Sequence, residues 1–96
     1  MFLFTFDAVP TKNNSCNCLG AIVNCWVDFD DFAGAEFIAH KFIESEGWLI
    51  KKDEEEAIIV SPQLIPIGKI AKLKKRSYNT AKTNGVSYLC ITYHKE

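Results

Sequence analysis

The sequence predicts a single α+β domain in which one antiparallel sheet carries two helices on one of its faces. The length of 96 residues is close to that of one typical domain, so residues 1–96 are expected to form one unit. Hydrophobic residues make up 48% of the chain and charged residues 24%, which is typical of a globular protein and excludes a disordered one. Apolar residues recur at every second position in several segments and at helical spacing in two others.

Two strands are predicted near the N-terminus. Phe2, Phe4 and Phe6 alternate with other residues, which predicts strand 1 over about residues 2–8. A second alternating segment predicts strand 2 over about residues 19–29. One face of strand 2 is purely apolar, and it holds Ala21, Val23, Cys25, Val27 and Phe29.

The first helix is predicted over about residues 32–46. Asp30 and Asp31 precede it as suitable N-cap residues, and Gly47 suits the left-handed position that ends a helix. The apolar residues of this segment fall in one stripe, which is expected to face the sheet: Phe32, Ala35, Ile38, Ala39, Phe42 and Ile43.

The second half of the chain is predicted to hold two short strands, a helix and a final strand. Helix 2 starts between Pro62 and Ile67, because proline is accepted only in a first turn, and it ends at Asn84-Gly85. Its predicted apolar face holds Ile67, Ile70, Ala71, Ser77, Tyr78 and Ala81. The strands are expected over residues 48–50, 57–60 and 86–93, with a solvated turn over 51–56.

This order of elements, ββαββαβ, predicts a ferredoxin-like two-layer sandwich. Without strand 1 the order is βαββαβ, the split arrangement of that fold, and right-handed crossovers then place both helices on the same side of the sheet. Strand 1 is the additional element. Either it pairs at an edge of the sheet, or strand 5 is displaced to an edge, and the sequence leaves both arrangements open.

The sheet face opposite the helices is predicted to be apolar as well. The uncovered face of an antiparallel sheet usually carries polar side chains. These strands, however, have apolar residues at both odd and even positions, and so on both faces of the sheet. Because exposed apolar patches usually mark interaction surfaces, we expect a homodimer through this face. The alternative is that the loop over residues 10–17 and the terminal strand fold over it. The predicted interface residues are Leu3, Ile22, Trp26, Leu89, Ile91 and Tyr93.

Charge is divided between two parts of the chain. Residues 1–56 carry a net charge of −7 and residues 57–96 one of +6. The favoured interpretation places the acidic first helix beside the basic second helix, so that their fields largely cancel. The alternative is that helix 2 contacts the phosphates of a nucleic acid, RNA in particular. The residues for such contacts are Lys69, Lys72, Lys74, Lys75 and Arg76.

A further predicted contact lies on helix 1, outside its apolar stripe. Phe37 falls there, beside His40 and Lys41. These three residues are a candidate contact for a protein partner. The alternative is an ordinary exposed aromatic side chain, which is common on protein surfaces and needs no partner.

No catalytic motif is present in the sequence, which lacks a glycine-rich phosphate loop, G-x-S-x-G and H-E-x-x-H. We therefore expect a small binding module without chemistry of its own and without a cofactor. The alternative is a small enzyme with a pocket at the sheet-dimer interface, lined by Trp26, Tyr88, Tyr93 and His94. No membrane partner is expected, because no apolar run reaches the roughly 20 residues that a spanning helix needs.

The four cysteines, Cys16, Cys18, Cys25 and Cys90, are expected to be free thiols. The N-terminus alternates like a strand and has no basic lead, so a cytoplasmic location is expected, where thiols stay reduced. Cys16-x-Cys18 offers two thiolates to a soft metal, but a zinc site takes four ligands and no second pair is present. We therefore expect no bound metal, while a metal or redox role of Cys16 and Cys18 stays open.

Overall fold

A computed structural model of the chain describes residues 1–60 and 69–94. The described residues form an antiparallel sheet and two helices, which confirms the predicted α+β class. The elements are, in order, β1 (Phe2–Pro10), β2 (Gly20–Val27), α1 (Phe32–Ser45), β3 (Trp48–Ile59), α2 (Lys69–Asn84) and β4 (Val86–Tyr93). The predicted start of helix 2, between Pro62 and Ile67, lies outside the described residues.

The strand order in the sheet is β3-β1-β2-β4, and each neighbouring pair is antiparallel. The predicted ferredoxin-like order ββαββαβ is therefore wrong. β1 and β2 form a central hairpin in which Phe4 pairs with Cys25 and Leu3 with Trp26. The first strand is thus not at an edge, and of the two arrangements left open the structure has the one in which the last strand is displaced to an edge.

The acidic and basic stretch that was predicted as a turn, residues 51–56, lies instead inside the long strand β3. This strand pairs with β1 from Trp48 opposite Pro10 to Ile59 opposite Phe2, with three register shifts on the way. The backbone is therefore hydrogen-bonded while the strand stays at an edge of the sheet, where charged side chains remain hydrated. Charge indicated correctly that Lys51, Lys52, Asp53 and Glu56 are exposed, but exposure does not require a turn.

The two helices lie on opposite faces of the sheet, not on one face as predicted. Alternate residues of a strand point to opposite faces. In β2, Val23 and Cys25 belong to the core cluster that contains α1, while Trp26 belongs to the cluster that contains Tyr78 and Ala81 of α2. The second apolar face predicted from the sequence is real, but α2 covers part of it.

The first helix, α1, follows its sequence signals closely. The Asp31 side chain accepts a hydrogen bond from the backbone N–H of Gly34 at 2.7 Å, which makes it the N-cap. Gly47, after the helix, has a φ of +89°, the left-handed conformation that glycine adopts without a steric cost. The helix buries Ala35, Ala39 and Ile43 completely against the sheet.

The second helix, α2, is anchored at its C-terminal half. Tyr78 and Ala81 pack against Trp26, whose side chain is only 1% exposed. The Ser87 hydroxyl of β4 donates a hydrogen bond to the carbonyl of Ser77, which ties the helix to the strand that follows it. Gly85 has a φ of +93° and ends the helix as predicted.

Candidate functional site

The six residues predicted as a dimer interface do not form one exposed patch. Trp26 is buried under α2, and Leu3 and Leu89 pack against the same cluster. Ile22 is half-buried and pairs in register with Ile91, which is 47% exposed. The uncovered part of this sheet face is therefore smaller than the sequence predicted. α2 covers part of the surface on which the second copy of the chain was expected to pack.

The remaining open part of that face contains a polar pair. Tyr93 lies opposite Gly20 in the sheet, and its hydroxyl donates a hydrogen bond to a carboxylate oxygen of Asp7 at 2.8 Å. Gly20 leaves room for this arrangement, since a Cβ there would lie 2.4 Å from the Tyr93 oxygen. Tyr93 is therefore held across β2 by Asp7 while about 41% of it stays exposed.

The structure places the three residues of the candidate protein contact on two different sides of α1. Phe37 is 64% exposed, and the Lys41 ammonium lies 5.7 Å from the centre of its ring. His40 faces the other way and packs edge-on against the ring of Phe6, with 5.0 Å between ring centres. Phe37 and Lys41 thus offer an exposed cation–π pair, whereas His40 takes part in the packing between α1 and β1.

The basic residues of α2 form an exposed stripe. Lys72, Lys75 and Arg76 are exposed and line a shallow surface groove together with Asn79 and Thr83. Their spacing of three and four residues places them on one side of the helix. Lys74 is half-buried, and the side chain of Lys69 lies outside the described part of the structure. Three of the five predicted nucleic-acid contacts are therefore brought together on one surface.

The electrostatic setting of this basic stripe differs from the favoured prediction. The acidic helix α1 was expected to lie beside α2 and to cancel its field, but the sheet separates the two helices. The α2 segment itself contains six Lys and Arg residues and no Asp or Glu. Within residues 1–60 and 69–94, Lys72, Lys75 and Arg76 make no ion pair with a described carboxylate. Their charge is therefore directed to solvent.

An acidic groove lies on the opposite side of the molecule, between α1 and β3. Phe32, which is 47% exposed, forms one wall, and its ring touches those of Phe2 and Phe4 at centre distances of 5.5 and 5.8 Å. The groove is lined by Phe4, Thr5, Phe6, Phe32, Glu36, Asp53, Glu56 and Ala57. Sequence reasoning missed this groove, because Asp53 and Glu56 were assigned to a turn and not to a strand beside β1.

The cysteines come close together on the α1 side of the sheet. The Sγ atoms of Cys16 and Cys18 lie 2.6 Å apart, and both residues are free and half-buried. Burial raises the pKa of Cys25 to about 12. Burial first, and then the nearness of Cys16 and Cys18, raises the pKa of Cys90 to about 12. Residues 1–60 and 69–94 contain no group of three or more His, Cys, Asp or Glu positioned to hold a metal ion.

The remaining catalytic candidates are dispersed. His94 lies beyond the end of β4, where it lines a small depression with Asn17, Cys18 and Leu19. Tyr88 is on the α1 side, packed against Phe42, whereas Trp26 is under α2 on the other side. The residues proposed to line an enzyme pocket at a sheet interface therefore lie on different faces of the sheet.

Comparison of the chain with protein-family models, with curated proteins and with solved structures found no match. Of the helices in the described residues, none is both long and apolar enough to cross a lipid bilayer.

Proposed function

We propose that this protein is a small binding module that holds single-stranded RNA on the exposed basic stripe of α2. The observation that carries this proposal is the isolation of the stripe: α2 has six cationic residues and no acidic one, and the sheet separates it from α1. A cationic surface with no internal counter-charge attracts polyanions, because phosphate contacts release condensed counterions.

The shape of the surface favours a flexible strand over a rigid duplex. From Lys72 to Asn79 the stripe extends about 10 Å along the helix, enough for about three successive phosphates. Because Tyr78 and Ala81 hold α2 flat on the sheet, only its outer side reaches a ligand. To bind duplex DNA in the major groove, a helix must fit between the two DNA backbones. A single strand needs only to lie along the outer side of α2.

The test is a fluorescence-anisotropy titration with a labelled single-stranded RNA of mixed sequence, about 20 nucleotides long, at low and moderate salt. We expect the logarithm of the association constant to fall with the logarithm of salt concentration with a slope of about −2, as three phosphate contacts require. The triple variant Lys72→Ala, Lys75→Ala, Arg76→Ala should bind about 10-fold or more weakly and show a slope near zero.

A matched control separates this site from general charge effects. Lys12, Lys41 and Lys51 are exposed lysines outside α2, so changing all three to Ala alters the net charge by the same amount. This control variant should bind RNA with an affinity within about twofold of the unmodified chain. Equal losses in the two triple variants, no binding at low salt, or tighter binding of a DNA duplex of the same length would each overturn the proposal.

We also propose that the protein self-associates, with β4 of one copy pairing with β4 of another. β3 and β4 are the edge strands of the described sheet. β3 carries six consecutive charged residues and three register shifts, which are features that prevent edge-to-edge pairing. β4, with the sequence VSYLCITY, has no charge, and Ile91 and Tyr93 are exposed.

Self-association along β4 is compatible with RNA binding on α2. An antiparallel pair of identical edge strands has its two-fold axis perpendicular to the sheet, so that each face continues from one copy into the next. Since α2 packs near β4, the α2 helices of the two copies would lie on the same face and double the basic surface. The proposed homodimer therefore includes two of the six residues predicted for the dimer interface, Ile91 and Tyr93. Trp26 stays buried inside each copy.

Sedimentation or light scattering at micromolar concentration tests the dimer. Ile91→Lys places a charge on β4 and should convert the dimer to a monomer. Ile58→Lys is the matched control, because Ile58 is 51% exposed on the other edge strand, compared with 47% for Ile91. The control should leave the mass of the dimer unchanged. A monomeric unmodified chain, or equal effects of the two substitutions, would contradict pairing through β4.

A further inference from the structure

The loop between β1 and β2 is fixed at both ends by hydrogen bonds to other elements. At its start, the backbone N–H and the hydroxyl of Thr11 both donate to the carbonyl of Gly47, at 2.9 and 3.1 Å. At its end, the N–H of Leu19 donates to the carbonyl of Tyr93 at 3.0 Å. This loop, residues 11–19, is therefore tied to the connection between α1 and β3 and to β4.

Within the loop, local hydrogen bonding turns the two thiols towards each other. The amide oxygen of Asn14 accepts a hydrogen bond from the backbone N–H of Cys16 at 2.8 Å, an Asx turn that bends the chain just before the thiol pair. The Sγ atoms of Cys16 and Cys18 then lie 2.6 Å apart, and both side chains pack against the α1-side core. Two free thiols are thus held side by side in a fixed loop.

We propose that Cys16 and Cys18 form a reversible dithiol–disulfide pair that exchanges with soluble disulfides. In the first step a Cys16 or Cys18 thiolate attacks one sulfur of the external disulfide, whose other sulfur leaves as a thiolate. In the second step the remaining thiol of the pair attacks the mixed disulfide and releases the second external thiolate. The two protons of the pair pass to the two leaving thiolates, so the protein loses two electrons and two protons while the external disulfide is reduced.

The other two cysteines are poor partners in this exchange. Cys25 is completely buried beneath α1, and Cys90 is half-buried on β4. With a pKa raised to about 12, each stays a protonated thiol near neutral pH, and the thiolate is the reactive form. The hydrogen bond with Cys16 raises the pKa of Cys18 too, so it is the contact between the two sulfurs that assigns the exchange to Cys16 and Cys18. Cys90 is the nearby thiol that a test must exclude.

The experiment treats the reduced full chain with glutathione disulfide, quenches it with acid and measures its mass. We expect the product to be lighter by two hydrogen atoms, without a glutathione adduct, and to return to its original mass with a dithiol reductant. Labelling of the native protein by iodoacetamide should involve Cys16 and Cys18 before oxidation and neither of them after it.

Single substitutions identify the bonded pair. Cys16→Ser and Cys18→Ser should each stop at a glutathione adduct on the remaining cysteine of the pair, whereas Cys90→Ser should form the internal disulfide like the unmodified chain. Far-ultraviolet circular dichroism of each variant verifies that it is folded. A stable glutathione adduct on the unmodified chain, or loss of the internal disulfide in Cys90→Ser, would overturn the proposal. Neither result depends on whether the protein binds RNA.

Discussion

The two helices of this protein differ in how many of their side chains pack against the sheet. α1 has an aspartate N-cap, and it buries Ala35, Ala39 and Ile43 against a sheet face filled with phenylalanine and valine. In the described part of α2, Tyr78 and Ala81 are the buried residues, and most of the other described side chains are charged or polar and lie towards solvent. The first helix therefore builds the main core, while the second covers one tryptophan and presents a basic surface.

This difference shows where function is to be sought in the molecule. The residues of α1 are explained by packing, since its stripe of small and apolar residues matches the sheet beneath it. The lysines of α2 have no such explanation, because packing against Trp26 uses only the inner side of the helix. A surface that folding does not account for is the better candidate for recognition.

The largest effect is expected from removal of the residue that α2 covers. Trp26→Ala leaves a cavity between the sheet and α2, and we expect it to lower the free energy of unfolding by about 3–5 kcal/mol. A loss of that size is a large fraction of the roughly 5–15 kcal/mol that typically stabilises a domain. Urea unfolding followed by circular dichroism measures the change. Leu73→Ala, at a residue of α2 that is 48% exposed, is the control, and its midpoint should hardly move.

Alkaline pH tests how completely α1 excludes water from the core. The pKa of Cys25 is raised from 9.0 to about 12, so its contribution to stability is complete below pH 9 and is lost as the pH rises towards 12. Between pH 8 and pH 10 this thiol alone should lower the free energy of unfolding by about 1.4 kcal/mol. Cys25→Ala should lose less stability over that range. Identical pH profiles for the two proteins would show that Cys25 is hydrated in the folded state.

A smaller effect is expected where α1 begins. Asp31→Ala removes the side chain that accepts the hydrogen bond from Gly34 and should cost about 1 kcal/mol of unfolding free energy. Asp30→Ala is the matched control, because the carboxylate of Asp31 accepts the cap hydrogen bond. The control should change the free energy of unfolding by no more than about 0.5 kcal/mol. Thermal unfolding of both variants gives the comparison. Equal destabilisation would indicate general charge at the helix start and not a specific cap.

The smallest effect is expected on the outer side of α1. Phe37 is 64% exposed and contacts the Lys41 ammonium, so Phe37→Ala should change the free energy of unfolding by less than about 0.5 kcal/mol. Its RNA affinity should equal that of the unmodified chain, because α1 and α2 lie on opposite faces. A clear loss of RNA binding in this variant would place an RNA contact on α1 and contradict the assignment of RNA binding to α2 alone.

Local signals in the sequence predicted much of the fold. The bounds of α1, its cap at Asp31, the glycines that end both helices and the strand Val86–Tyr93 all follow from neighbouring residues. Long-range pairing decides the rest. Which face α2 covers depends on β3 pairing with β1 and on β4 pairing with β2, and no residue pattern in α2 specifies these partners.

The candidate sites follow the same rule. The basic run from Lys72 to Arg76 is visible in the sequence, but its separation from the acidic residues is a consequence of topology. The Cys16-x-Cys18 spacing is visible too, whereas the Asx turn and the anchoring of its loop to Gly47 and Tyr93 involve residues distant along the chain. Residue type therefore identified the chemistry, and the fold determined which groups can act together.

RNA titration of the two matched triple variants decides whether α2 is the binding surface. Removing the cations of Lys72, Lys75 and Arg76 should lower the affinity for RNA about 10-fold or more and abolish most of its salt dependence. The same charge change at Lys12, Lys41 and Lys51 should leave both the affinity and its salt dependence within about twofold of those of the unmodified chain. Equal affinities for the two variants would contradict the assignment of α2 as the binding surface.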